Sequence, residues 1–153
     1  MRRPLVLVAA LLGVALLAGS VTRGSPALSA PGVIRITSLD IQVMVDNRGA
    51  PSRSAGDVLL IRQLLFNTRI TKHAIGHADL VCTYTSARSR QCNGTYVLPR
   101  GKIVVSGAIR FREFYELAVV GGTRLYDNVR GSLTVTLLTR KPRREILLFR
   151  LVV

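Results

Sequence analysis

Acidic residues are scarce in this chain: 8 Asp and Glu stand against 22 Lys and Arg, a formal net charge of +14. Cysteine is scarcer, with only Cys82 and Cys92. Together with His73 and His77 these do not give zinc-finger spacing, so no metal site is expected, and no cofactor motif is present. No apolar run reaches the ~20 residues that a transmembrane helix needs; Leu5 to Ala18 falls short. Lysine is almost missing, since 19 of the 22 basic residues are Arg. Aromatics make up 5% of the chain. None of them interleaves with basic residues as in a nucleic-acid module, so nucleic acid is not an expected partner.

What is present begins with an address. Arg2 and Arg3 form a short positive region, Leu5 to Ala18 an apolar one, and Ala18, Gly19 and Ser20 are small. That order is a secretory signal peptide over residues 1–20, with cleavage between 19 and 31. Arg2-Arg3 also suits twin-arginine export, so both routes stay open. Residues 21–32 form a Ser/Pro/Gly/Ala linker, and 33–153 a single domain. The protein is therefore expected to be secreted or extracytoplasmic. Without Arg2, Arg3 and Arg23 the 22 basic residues become 19 against 8 acidic ones, a charge of +11. Such a surface attracts phosphates, anionic lipids and acidic envelope polymers. The arginines are nonetheless spread along the chain, apart from the cluster Arg140-Lys141-Pro142-Arg143-Arg144 in an expected turn.

An even pair of cysteines in an exported chain predicts a disulfide between Cys82 and Cys92. Ser86-Ala87-Arg88-Ser89 between them is a good turn, so the bridge would staple neighbouring strands near a hairpin end. By chain entropy, closing so short a loop contributes about 2–3 kcal/mol.

The remainder reads as β-structure. Strands are expected at 33–45, 58–66, 78–85, 91–97, 102–106, 114–120, 132–138 and 145–152, with turn residues between them. Evenly spaced short strands of this kind predict an all-β sandwich or barrel. Leu59 to Leu65 has leucines that suit a helix, but its length and its Gly56 flank favour a strand.

Alternation sorts the faces. In the third strand His77, Asp79, Val81 and Thr83 oppose Ala78, Leu80, Cys82 and Tyr84; in the sixth, Tyr115, Leu117 and Val119 oppose Phe114, Glu116 and Ala118. The expected interior comprises Ile61, Leu80, Ile103, Val105, Leu117, Val119, Leu133, Val135 and Leu148. Several strands are apolar on both faces, so the outer face calls for cover by a loop, the N-terminal segment or a second copy in a homo-oligomer.

One stretch goes further. Gly76-His77-Ala78-Asp79, Cys82, the run Cys92 to Ile103, Gly107, Leu117-Ala118-Val119-Val120-Gly121-Gly122-Thr123, Tyr126 and Gly131 together resemble the allene oxide cyclase-like and dirigent-like barrel superfamily, in its small secreted bacterial form. The resemblance runs from about Val33 to the C-terminus. It implies an eight-stranded antiparallel β-barrel, often oligomeric, with a largely apolar lumen open at one end. Its members cyclise an unstable allene oxide or steer a radical coupling, in both cases by proximity and orientation. Arg124 replaces the usual small residue after Gly-Gly-Thr. Plant cyclases carry a functional glutamate on the first strand, where this chain offers only Asp40, and no catalytic residue is carried over. Asn93-Gly94-Thr95 matches a glycosylation sequon but reads as a strand entry after Cys92.

Two functions compete. The first is a barrel that binds a small apolar molecule and directs a cyclisation, as an isomerase, or a stereoselective coupling. Its candidate acid/base groups are Asp79, His77 and Glu116, and its candidate ligand contacts Gln63, Tyr84 and Tyr115. Glu116 is expected either to face outward or to pair with Arg110 or Arg62. The second function is a non-catalytic structural or interaction protein of the cell envelope with a basic surface. A hollow lumen with a buried polar group favours the first, and a lumen filled with Leu, Ile and Phe the second.

Overall fold

A computed structural model describes residues 29–68 and 72–152. The signal peptide and most of the linker lie outside them. Eight strands run in chain order: β1 Val33–Asp46, β2 Val58–Asn67, β3 Gly76–Tyr84, β4 Arg90–Leu98, β5 Gly101–Ile109, β6 Phe114–Gly122, β7 Arg130–Arg140 and β8 Arg143–Val152. Each pairs antiparallel with the next, and β8 returns to β1, closing the barrel. All eight expected strands are present, some a few residues longer than the turn signals suggest. Leu59 to Leu65 lies inside β2, where cross-strand burial outweighs the helix propensity of leucine. A short 3-10 turn, Arg124–Tyr126, joins β6 to β7.

Burial follows the two-residue period. In β3 Ala78, Leu80, Cys82 and Tyr84 are buried and the alternate residues exposed. Cys82 lies directly opposite Cys92 and is bonded to it, so the disulfide locks β3 to β4 from inside the barrel. Leu148 departs from expectation. It is half-buried on the outer side, and Leu147 and Phe149 point inward instead. Glu145 and Arg150 have opposite parity in β8, so one charge had to face in, and it is Glu145.

The lumen is divided along its length. Around the middle and at the 3-10 end it is solid, with Leu65, Tyr96, Ile103, Leu117, Leu133, Leu147 and Phe149 essentially inaccessible. Tyr96 and Phe149 meet edge to face, ring centres 5.2 Å apart. Two glycines make this packing possible. At Gly94 a Cβ would sit 2.8 Å from Leu80 Cγ, so the glycine of the apparent sequon is a core requirement. Gly131 has φ +136°, and a side chain there would strike the Arg150 carbonyl; only glycine enters β7 this way. Outside, Met44, Leu60, Val81 and Val120 remain exposed.

Candidate functional site

The other end of the barrel is open. Its wall is built from the end of β1, the start of β2, the β3–β4 hairpin, the β5–β6 loop and the start of β8. There the lumen holds a cavity of about 150 Å³. Leu59, Ile61 and Leu80 give it an apolar side, and Val43 and Val45 an apolar lip. Its polar residues are Asp40, Gln63, Tyr84, Tyr115 and Glu145, with Arg53, Arg90, Arg112 and Arg143.

A bulge in β1 sets part of this arrangement. Asp40 pairs with Gln63, but Gln42 pairs with Arg62, so Ile41 is the extra residue. Up to Asp40 the even-numbered residues face inward; beyond the bulge Val43 and Val45 take that side, opposite Ile61 and Leu59. A bulge re-aims side chains in this manner beside functional sites. Here it puts a carboxyl inside and an apolar lip above it.

Gln63 holds the floor together. Its side-chain N–H groups donate to Asp40 Oδ1 at 2.7 Å and to Glu145 Oε2 at 3.0 Å. With both donors taken by carboxylates the amide cannot flip, and its carbonyl oxygen is left buried without a partner among the described residues. Arg143 donates to Glu145 Oε1 through Nε at 3.0 Å and Nη2 at 2.6 Å, and reaches Asp40 Oδ2 at 3.7 Å. Tyr115 donates to Glu145 Oε2 at 3.5 Å.

Two carboxyls facing one guanidinium leave a surplus negative charge when both are ionised. The surplus falls on Asp40. Burial raises its affinity for a proton; Glu145 adds to that, and the Gln63 hydrogen bond and Arg143 oppose it without cancelling it. Burial, reinforced by Glu145, also drives the Tyr115 hydroxyl far above its ordinary value, so it stays a neutral donor. Burial opposes ionisation of Tyr84 as well, but there Arg112 and Arg90 prevail and hold its phenol below the ordinary value. Arg112 Nη2 donates to the Tyr84 hydroxyl at 3.2 Å. The site therefore offers a carboxyl that holds its proton more tightly than an ordinary one, and a phenol that gives its proton up more readily than usual. Such a pair is suited to proton transfer at opposite ends of a small ligand.

Of the candidates from sequence, Gln63, Tyr84 and Tyr115 line this cavity. His77 and Asp79 lie on the outer face, where Arg62 Nε contacts Asp79 Oδ1 at 2.8 Å and His77 lies 3.9 Å from Asp79. Glu116 is exposed on the same outer side of the barrel wall. These three point away from the cavity, from the outer faces of strands that line it. Arg143, Glu145, Arg90 and Arg112 were not singled out from sequence, and Asp40 only by its position on the first strand.

No family profile matches the sequence, and no curated protein matches it. Solved structures do. A pyocyanin demethylase superposes with TM-score 0.70 at 22% identity, over 78% of this chain and 99% of that one. A pterocarpan synthase dirigent protein gives 0.61 at 14% identity, over 78% and 86%. The Diels-Alderase AbmU from Streptomyces koyangensis gives 0.60 at 16% identity, over 78% of this chain and 64% of that larger one. The chain thus has the closed barrel fold found in dirigent proteins and Diels–Alder cyclases.

Proposed function

We propose that this barrel binds a small ring-bearing molecule in the cavity at its open end and directs a cyclisation or coupling there. The observation that carries this reading is the hydrogen-bonded set Asp40–Gln63–Glu145 on the floor of a cavity that also has an apolar side and lip. A purely structural barrel gains nothing from burying two carboxyls and leaving an amide oxygen unpaired, a group that costs roughly 1–3 kcal/mol. An apolar wall facing convergent polar groups describes a ligand site.

The size of the cavity narrows the ligand. A void of about 150 Å³ accommodates a benzene-sized group. It takes one ring, with the rest of the molecule directed at the mouth, and has no room for a long acyl chain. Asp40 is the proton donor and acceptor, Tyr115 and Gln63 orient the ligand, and Tyr84 serves its outer end. The similar folds of dirigent proteins and cyclases support a role in holding one reactive conformation. The disulfide supports an oxidising location outside the cytoplasm, reached by the N-terminal signal.

A thermal-shift series tests the reading, since a ligand that binds only the folded state raises its melting temperature. Single-ring phenylpropanoids should stabilise the protein, and filling the cavity by Leu80→Phe should abolish the shift. If a folded sample responds to no such ring compound, the structural reading replaces this one.

A further inference from the structure

Above the cavity lies a second hollow of about 300 Å³, formed by the β3–β4 and β5–β6 turns together with Arg53. Arg53, Tyr84, Arg90 and Arg112 line both spaces, so the hollow is the vestibule of the cavity. Its remaining wall adds Arg88, Arg110 and Phe111. Five arginines thus converge on a space that no carboxylate among the described residues lines.

The acids at this end are all engaged elsewhere. Asp46 pairs with Arg48 at 2.8 Å, and Glu113 pairs with Arg140. Asp57 accepts from the Ser54 and Arg48 backbone at 2.7 and 2.9 Å. Asp40 and Glu145 are held by Gln63 and Arg143. Among the described residues no carboxylate comes within ion-pair distance of Arg53, Arg88, Arg90, Arg110 or Arg112. Arg90 is the telling member. It is only 7% exposed, and its Nε is buried with no hydrogen-bond partner among the described residues. Its polar neighbour is the Tyr84 hydroxyl, which is no counter-ion, and a buried guanidinium N–H left unpaired is costly unless an anion joins it. Arg112 is exposed and donates to the Tyr84 hydroxyl through Nη2 at 3.2 Å, leaving its other guanidinium N–H groups to reach the same anion.

We infer that the vestibule is an anion subsite, in which Arg90 and Arg112 clamp a carboxylate or phosphate carried by the ligand whose ring occupies the cavity below. The fork geometry of guanidinium suits either group, and two such contacts fix the orientation of the ring as well as adding affinity. This rests on the proposed ring-binding site for the ring portion only; the anion portion stands on the arginines themselves. The ligand class becomes a small aromatic acid or aryl phosphate, bound with its charge toward solvent and its reactive ring toward Asp40.

The experiment uses the exported full chain and three probes: cinnamate, its neutral isostere cinnamamide, and inorganic phosphate. Dissociation constants are measured at low and at 0.5 M salt for the natural protein, Arg112→Gln and Arg90→Gln. Cinnamate should bind at least tenfold more tightly than cinnamamide and lose that advantage in high salt. Arg112→Gln, at an exposed position, should weaken cinnamate about tenfold and leave cinnamamide within twofold. Arg90→Gln should do the same if it folds, and Arg112→Gln decides the matter if it does not. Equal binding of cinnamate and cinnamamide, unaffected by Arg112→Gln, overturns the anion subsite and leaves the ring site standing. Phosphate binding that depends on Arg112, with neither ring compound bound, keeps the anion subsite and removes the ring site. If none of the three probes binds, both fall.

Discussion

Replacing Arg143 with Met tests whether the floor of the cavity is an ion cluster or an incidental contact. Arg143 makes two charge-assisted bonds to Glu145 Oε1, at 3.0 and 2.6 Å, and a third to the Arg112 carbonyl at 2.6 Å. The Glu145 side chain is 2% exposed and that of Arg143 29%. Removing one partner of a fully buried pair costs about 3–5 kcal/mol, mostly for the stranded charge. Two features reduce this. Water reaches the Arg143 side of the cluster, and Gln63 still donates to Glu145 Oε2 at 3.0 Å. The expected cost of Arg143→Met is therefore about 2–3 kcal/mol. Glu145→Gln keeps an acceptor for Arg143 and leaves it facing Asp40 at 3.7 Å, so it should cost about 1 kcal/mol. In the double variant no unpaired Glu145 carboxylate remains, and it should be more stable than Arg143→Met alone by at least 1 kcal/mol. Urea unfolding of the four proteins at one pH gives the cycle, provided the denaturant slope stays constant. A cost below 0.5 kcal/mol for Arg143→Met, or simple addition of the two single effects, would refute the buried-cluster account.

Asp40→Asn should flatten the pH dependence of stability. Burial raises the Asp40 carboxyl above 3.8, so the folded state binds this proton more tightly than the unfolded one. The resulting stability is complete below pH 3.8 and is lost as pH rises through the folded value. Relative to the natural protein, the Asn variant should thus gain stability from pH 3.5 to pH 7; a gain in the acid direction contradicts the assignment. Reduction of the Cys82–Cys92 bridge, which closes a loop of sequence separation 10, should cost about 2–3 kcal/mol in urea unfolding. Arg124 has φ +59°, a conformation that costs an L-residue about 1–2 kcal/mol. Arg124→Gly should therefore stabilise the fold by about 0.5–1 kcal/mol after the entropic penalty of glycine, and an unchanged or lower urea midpoint would count against it.

Alternation was legible wherever a strand carried a polar marker on one face only. In β3 the parity of Leu80 and Cys82 already placed His77 and Asp79 on the other side. The interest of those two lay in their chemistry, and their phase pointed away from the lumen. Gln63, between Ile61 and Leu65, was the clearest inward polar residue, and the structure puts it at the centre of the cavity floor. Leu148 was ambiguous because Ile146 to Phe149 is apolar throughout, with charges of opposite parity on either side. The bulge at Ile41 has no sequence signal of its own, since neither Gly nor Pro marks it. Arg143 was read as part of a solvated turn, because a basic cluster beside a proline usually is one. Its inward aim depends on Glu145, and the meeting of Glu145 with Gln63 is a contact 82 residues apart in sequence. The arginine vestibule was hidden for a similar reason. Arg88 and Arg90 lie some twenty residues before Arg110 and Arg112 in the sequence, and it is the β4–β5 register, with Arg90 opposite Ile109, that brings the two pairs to one end beside Arg53.

Division of the lumen makes the buried ions tolerable. An ion cluster such as Asp40–Gln63–Glu145–Arg143 contributes little net stability and can subtract from it. A barrel hollow along its whole length would have to carry that load on sheet pairing alone. Here the half nearer the 3-10 turn is packed solid around Tyr96 and Phe149, and full burial of side chains of this size is worth about 1.5–3 kcal/mol each. The Cys82–Cys92 bridge sits toward the open end, where packing gives way to the cavity. Stability is thus concentrated where no chemistry is proposed, and rigidity is supplied covalently where the ligand is expected. Substitutions among Leu133, Leu147 and Phe149 should accordingly unfold the protein without first altering ligand preference. Changes at Asp40, Tyr84 and Arg112 should alter ligand preference in a protein that remains folded.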